Sequence, residues 1–274
     1  MTLSFSEMPR PLIVGSMSRR SEQDAIDYIK ASEGDGAKAF TFGIQNLEEK
    51  YRNEQSFKRI AASTEYPIMA IYYRNGDNLK LPDCERLDIL EKAVKGGFRS
   101  VDLPMYLFDE NPADSLKTCK LSFADACPKE VSMKPEAVDK QKNTVGRFKA
   151  LGAEVLVSAH VEVELRLEQA VSLALEMESR GADIVKIVTA CDTSEHALEI
   201  LQTNLELKKE LKVPSIYTCS GYHGKLIRRT APLFGTMLVF SNHEYGELSV
   251  AEMPLIRDMV HFYKLTEWRA ENNG

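Results

Sequence analysis

No cysteine pair in this chain is spaced as CxxC, and no apolar run approaches the roughly 18 residues that a membrane-spanning helix needs. The five cysteines, Cys84, Cys119, Cys127, Cys191 and Cys219, are scattered. An odd count without framework spacing fits free thiols in a reducing compartment, with a Cys119–Cys127 bridge inside one loop as the alternative. The first residues, MTLSFSEMPRPLIVG, lack the charged start and long apolar stretch of a secretion signal, so a cytoplasmic location is expected. Positive charge is not in excess. The net charge of -6 argues against nonspecific nucleic-acid binding, while leaving room for a local basic pocket. No GxGxxG or GxxxxGK[ST] loop occurs, which removes the usual nucleotide-binding readings. The histidines His160, His196, His223, His243 and His261 show no HExxH spacing. Neither a metal nor an organic cofactor is therefore expected. The nearest approach to a zinc set is His223 and His243 with Glu247. A glycine-bearing segment, Ser220–Gly224, follows the seventh predicted strand; a phosphate cradle is one reading of it and a plain turn the other. No low-complexity linker divides the chain, so residues 1–274 are expected to form one domain.

What is present is a repeat of short apolar runs and longer amphipathic stretches. The runs predict strands at Leu12–Ser16, Ala37–Ile44, Ile68–Tyr73, Ser100–Leu103, Glu154–Ser158, Asp183–Val188, Ser215–Cys219 and Thr236–Ser241. Helical spacing is clearest over Glu164–Arg180, ended by Gly181. A second helix is expected over Ser194–Lys209 with Ser194 as cap, and a last one over Val250–Tyr263. Eight strand–helix units with right-handed crossovers imply an α/β fold, a closed (β/α)8 TIM barrel. One segment breaks the repeat. Phe108–Ala137, about 30 residues after the fourth strand, is too long for an ordinary barrel loop. Following a strand, it is expected on the C-terminal face, where barrel active sites lie. A lid and a tolerated surface insertion both fit it.

Lys186 interrupts the apolar strand Ile184–Val188 and shares a face with Ile184 and Val188. Apolar surroundings favour the neutral form of an amine, and a neutral amine attacks a ketone or aldehyde to form an imine. A structural lysine paired with a carboxylate is the competing reading. His160 ends the preceding strand on the same face as Ser158, so it is expected beside Lys186, where an imidazole shuttles protons.

The segment SAH (Ser158–His160), about 26 residues ahead of the matching lysine in GADIVKI (Gly181–Ile187), resembles type I 3-dehydroquinate dehydratase. IRRTAPLFGT (Ile227–Thr236), PIMAIYYR (Pro67–Arg74) and PLIVGSM (Pro11–Met17) resemble further parts of that family, so the similarity covers nearly the whole chain outside the insertion. The resemblance implies a barrel enzyme, often a homodimer, that converts 3-dehydroquinate to 3-dehydroshikimate with loss of water in the shikimate pathway. It implies that Lys186 forms the Schiff base. His160 is implied as the general acid/base that also helps form and hydrolyse the imine. Arg228 is implied to pair with the substrate carboxylate, and Arg74 to position ring hydroxyls.

The departures from the family pattern are specific. Where the family places a glutamate that orients the histidine, this chain has Asn78, with Asp77 beside it as a replacement. Thr41 and Gly43 stand where the second strand normally carries a glutamate and an arginine. In the fourth strand Asp102 is kept and Pro104 replaces a glutamate. In the lid SNHEYGELS (Ser241–Ser249), His243 and Glu247 stand near the usual serine and glutamine, as candidate substrate contacts. Two alternatives stay open on these grounds: a lysine-imine aldolase or dehydratase acting on another hydroxy-carbonyl compound, and a catalytically silent binding barrel.

Overall fold

The computed structural model describes residues 3–75 and 79–266. Among them, eight parallel strands alternate with eight helices. The strands are β1 (Leu12–Met17), β2 (Ala39–Gly43), β3 (Ile68–Ile71), β4 (Ser100–Pro104), β5 (Glu154–His160), β6 (Ile184–Ala190), β7 (Ser215–Ser220) and β8 (Leu238–Ser241). The helices are α1 (Glu22–Asp35), α2 (Glu54–Ala62), α3 (Asp83–Lys95), α4 (Pro135–Ala150), α5 (Leu167–Ser179), α6 (Ser194–Glu210), α7 (Gly224–Phe234) and α8 (Ile256–Thr266). Strand order runs β7-β6-β5-β4-β3-β2-β1-β8. The barrel closes between β7 and β8 through the Met237 N–H bond to the Ser215 carbonyl, 2.9 Å. Buried side chains reinforce that seam, where Thr236 Oγ1 donates to Asn204 Oδ1 and lies 3.1 Å from the Tyr217 carbonyl.

The strands' two-residue period divides the core. Leu12, Val14, Ala39, Met69, Leu156, Ile184, Ile216, Leu238 and Phe240 fill the barrel interior. Their odd-parity neighbours, such as Val155, Val157, Val185 and Ile187, pack outward under the helices. Phe5 and Met8 plug the interior from the amino-terminal end, anchored where the Phe5 N–H meets Glu154 Oε2 at 3.0 Å. The carboxyl ends of the strands form the other end of the barrel.

Three predicted helix starts shift. The helix expected from Glu164 begins at Leu167, because residues 161–165 run along β6. The Ala190 N–H bonds the Val163 carbonyl at 3.0 Å and the Leu165 N–H bonds Thr189 Oγ1 at 3.1 Å. Thr193, not Ser194, caps α6, its hydroxyl accepting from the His196 N–H at 3.2 Å. The last helix starts at Ile256 instead of Val250. Before it, the chain pairs with Asn242, whose N–H bonds the Pro254 carbonyl at 2.8 Å and whose carbonyl accepts from the Ile256 N–H at 2.9 Å.

The long segment after β4 is ordered by short 3-10 turns at Pro112–Thr118 and Ser122–Ala126, and α4 begins within its expected span, at Pro135. Leu116, Phe123 and Val131 are buried, so it is a packed part of the domain. The Cys119–Cys127 bridge does not form: all five cysteines are free thiols.

Candidate active site

Alternation along β6 sends Lys186 inward, onto the polar layer above the apolar plug. It is 5% exposed. Its Nζ lies 3.2 Å from Asp102 Oδ2 on β4 and 2.6 Å from the hydroxyl of Tyr73, two residues past the end of β3. It also lies above the Phe240 ring, 5.4 Å from the centroid. Asp102, 1% exposed, receives two further hydrogen bonds: Ser158 Oγ donates to Oδ1 at 2.5 Å, and the Tyr73 hydroxyl donates to Oδ2. Every charged atom of the pair is thus matched, the condition under which burying two charges is tolerable. The carboxylate left open as the lysine's partner in the sequence is Asp102. Tyr73 as a whole is only partly buried, but its hydroxyl end is sunk in this cluster. Loss of water around that end, together with the negative Asp102, holds its pKa well above the ordinary tyrosine value, so it stays protonated.

His160 ends β5, across from Val188 of β6. Its ring meets the Tyr73 ring edge-on, with centroids 5.1 Å apart, so Tyr73 stands between the lysine and the histidine. Nδ1 lies 3.1 Å from Glu130 Oε2, and the His160 backbone N–H donates to the same oxygen at 2.8 Å. A carboxylate at Nδ1 places the ring proton there and leaves Nε2 as the ring's acceptor.

Glu130 belongs to the long segment after β4, and that segment is clamped on both sides. The Ser132 N–H bonds the Met105 carbonyl at 3.2 Å, and Lys129 N–H the Val161 carbonyl at 3.4 Å. Arg180, almost fully buried, donates from Nη2 to the Ser132 carbonyl at 2.9 Å and from Nη1 to Gln141 Oε1. Gln141 Nε2 in turn binds the Met105 and Leu107 carbonyls, at 2.9 and 2.8 Å. Burial lowers the Arg180 pKa, partly offset by Glu176.

The other expected contacts divide. Arg228 on α7 is 8% exposed and shares a small void with Thr218 and Phe240, the ring that faces Lys186. Its Nη2 reaches Glu252 only at 3.6 Å. Its Nε and Thr218 Oγ1 are buried without a hydrogen-bond partner among the described residues. Burial lowers its pKa, countered by Glu252. A desolvated guanidinium with an unspent donor suits a carboxylate.

Arg74 is not brought to the cluster. Its Nε pairs with Asp83 Oδ1 at 3.0 Å, its Nη2 with Asp83 Oδ2, and its Nη1 with the Asp109 carbonyl at 2.7 Å, over the Tyr106 ring. Strand parity explains the difference: Met69 and Ile71 face inward, so Tyr73 does too, and Arg74 turns outward. His243 and Glu247 are also elsewhere. His243 Nδ1 pairs with Asp35 Oδ2 at 2.6 Å and sits edge-on to Tyr28, while exposed Glu247 is 3.5 Å from Arg20. They line a cleft of roughly 470 Å³ with Ser18, Arg19 and Tyr28, a cleft that Lys186, His160 and Tyr73 do not line. Asp77 and Asn78 lie outside the described residues. His223 stands edge-on to Tyr222 just before α7. Among the described residues no three His, Cys, Asp or Glu side chains converge as a metal set.

The pattern of type I 3-dehydroquinase matches residues 16–268. The chain belongs to that family. Two curated relatives, both 3-dehydroquinate dehydratases, are similar over shorter stretches. The Alkaliphilus oremlandii protein is 29% identical over 123 residues, 40% of this chain and 46% of that one. The Aromatoleum aromaticum protein is 32% identical over 75 residues, 27% of this chain and 29% of that one. The matched stretches thus span less than half of these relatives' length. The solved 3-dehydroquinate dehydratase of Geobacillus kaustophilus shares the fold, with a TM-score of 0.73 at 16% identity, over 97% of this chain and 100% of that one. The Clostridium difficile enzyme does so with a TM-score of 0.70 at 16% identity, over 94% and 93%.

Three members of the cluster are not legible as such in the sequence. Tyr73 was hidden by the arginine beside it, although strand parity carried the signal. Asp102 was noticed as a retained family residue but not as the lysine's partner. Glu130 had no local signal: nothing in its neighbourhood of the chain tells which strand end it reaches.

Proposed function

We propose that this protein is a 3-dehydroquinate dehydratase, a hydro-lyase of the shikimate pathway that works through an imine on Lys186. The supporting observation is the pair of linked clusters toward the carboxyl end of the barrel: a buried lysine with its carboxylate, and a histidine held by a second carboxylate one strand away. Lys186 Nζ attacks the ketone carbon, and loss of water gives an iminium that draws electrons from the neighbouring C–H bond. His160, with Nδ1 held by Glu130, takes that proton at Nε2 and returns it to the departing hydroxyl. Arg228 receives the substrate carboxylate with the donor that burial leaves unspent. The five free thiols fit a cytoplasmic location, and a homodimer is the assembly that the family resemblance implies.

A second reading rests on Arg74, which is spent on Asp83 instead of the site, and on Thr41 and Gly43, which bring no charge from β2. A cluster with fewer polar anchors suits another hydroxy-carbonyl compound, cleaved or dehydrated through the same imine.

The deciding experiment is borohydride reduction with 3-dehydroquinate, read by intact mass and peptide mapping, beside an assay for 3-dehydroshikimate. An adduct on Lys186 with product formed is the expected result. An adduct without product favours the second reading. No adduct with 3-dehydroquinate or any other carbonyl compound leaves a binding barrel.

A further inference from the structure

We infer that Tyr73 is a further catalytic residue of the imine step: its hydroxyl carries the Lys186 proton to and from Asp102 while the carbon–nitrogen bond forms. The inference rests on the lysine–carbonyl chemistry proposed above but not on the identity of the carbonyl compound. Its ground is the direction of the hydrogen bonds. Lys186 Nζ donates to the Tyr73 oxygen at 2.6 Å, and the Tyr73 hydroxyl donates onward to Asp102 Oδ2. The direct Nζ–Oδ2 hydrogen bond is longer, 3.2 Å, than either link through the phenol, so each proton hop by way of Tyr73 is the shorter one. Ser158 holds the other carboxylate oxygen at 2.5 Å, fixing Asp102 as the end of the relay. The raised pKa of the phenol keeps its proton in place until one arrives from the other side.

The proton balance closes within the cluster. An ammonium proton passes to the Tyr73 oxygen as the Tyr73 proton passes to Asp102, leaving a free amine, an intact phenol and a neutral carboxylic acid. The nitrogen lone pair forms the bond to the carbonyl carbon, and the C=O π pair moves to oxygen. That oxygen takes the Asp102 proton, and the positively charged nitrogen gives one back to Asp102 through Tyr73, producing the carbinolamine. The hydroxyl then takes the Asp102 proton and leaves as water while the nitrogen lone pair closes the iminium. The sum is ammonium plus ketone giving iminium plus water, with Asp102 a carboxylate again and no proton drawn from outside. His160, tied to Glu130 and meeting Tyr73 only ring edge to face, is left for the later C–H and C–O steps. This departs from the expectation that His160 also builds the imine.

The test is rapid-quench borohydride trapping on the intact protein, giving the single-turnover rate of adduct formation on Lys186 for wild type, Tyr73→Phe, Asp102→Asn and His160→Ala. Tyr73→Phe is expected to form the adduct about 10²-fold more slowly, in the range for loss of a proton-transferring group. Asp102→Asn should slow the same step at least as much. His160→Ala should trap at the wild-type rate while product formation falls. Trapping of Tyr73→Phe at the wild-type rate, or a His160→Ala defect as large as that of Tyr73→Phe, overturns the assignment. If Tyr73→Phe does not fold, 3,5-difluorotyrosine at position 73 keeps the ring and changes the acidity of its O–H bond; an unchanged trapping rate then overturns the inference. Dihydroxyacetone serves as a second probe. If wild type is trapped by it but not by 3-dehydroquinate, the substrate assignment fails while the Tyr73 comparison is made with that ketone. No adduct with either ketone overturns both.

Discussion

The lysine side and the histidine side of this site are built in opposite ways. Lys186, Asp102 and Ser158 come from the middles of adjacent strands, are nearly inaccessible, and match one another's hydrogen bonds inside the barrel. His160 stands at a strand end, and both it and its partner Glu130 are about one-third exposed, 32% and 29%. Glu130 is delivered by a segment with no counterpart in the barrel repeat. The first cluster is fixed by the sheet itself, whose interior positions cannot shift without moving a ladder of hydrogen bonds. The second depends on how a long connection packs. The buried side suits a nucleophile that must be desolvated, and the accessible side suits a group that exchanges protons with substrate and water.

Breaking the lysine side is expected to have the largest effect. Lys186→Met should abolish both the borohydride adduct and turnover. It also leaves Asp102 buried without its cation, at about 3–5 kcal/mol in a denaturant titration. Retained turnover by that variant would remove the imine from the mechanism. His160→Ala should lower kcat by roughly 10²- to 10⁴-fold with the adduct still forming; a full-rate variant takes His160 out of the reaction.

Glu130→Gln sharpens the comparison, because it leaves every strand residue in place. We expect kcat to fall about 10- to 10²-fold, the usual effect of removing an outer partner from a working histidine, with the trapping rate unchanged. If trapping slows as well, the two sides are not separable. Arg180→Met tests the same link from further away. It strands the Ser132 carbonyl and the Gln141 amide oxygen, at about 1–3 kcal/mol for each group left unsatisfied, and should lower kcat by less than Glu130→Gln does. A destabilised variant with wild-type kcat would show that Glu130 keeps its place without the clamp. The smallest effect is expected from His243→Ala. The histidine is engaged with Asp35 and Tyr28, so KM and kcat should stay near wild type. A large rise in KM would mean that the loop after β8 moves onto the site when substrate binds.

The barrel was legible because parallel strands write themselves into sequence. Ile184 to Val188 shows one charged residue among apolar ones, and a two-residue period then forces Lys186 onto the face of Ile184. The same logic put His160 with Ser158. Beyond β3 the family resemblance pointed to Arg74, whereas counting from Met69 places Tyr73 inward and Arg74 toward Asp83. The starts of α5 and α8 fall later than expected because the segments before them hydrogen-bond to β6 and to Asn242, partners distant in the chain.

By itself, then, the sequence determined the strand–helix repeat, the inward direction of Lys186, the place of His160 on the next strand and the membership of a lysine-bearing barrel family. These depend on periodicity and short motifs, which are properties of neighbouring residues. Only the tertiary structure decided that Asp102 and Tyr73 meet Lys186, that Glu130 reaches His160, and that His243 turns toward α1. The physical reason is reach. A strand's period fixes where a side chain points. What it meets there is set by the closure of the barrel and by the buried Arg180 clamp, which bring together residues far apart in the chain.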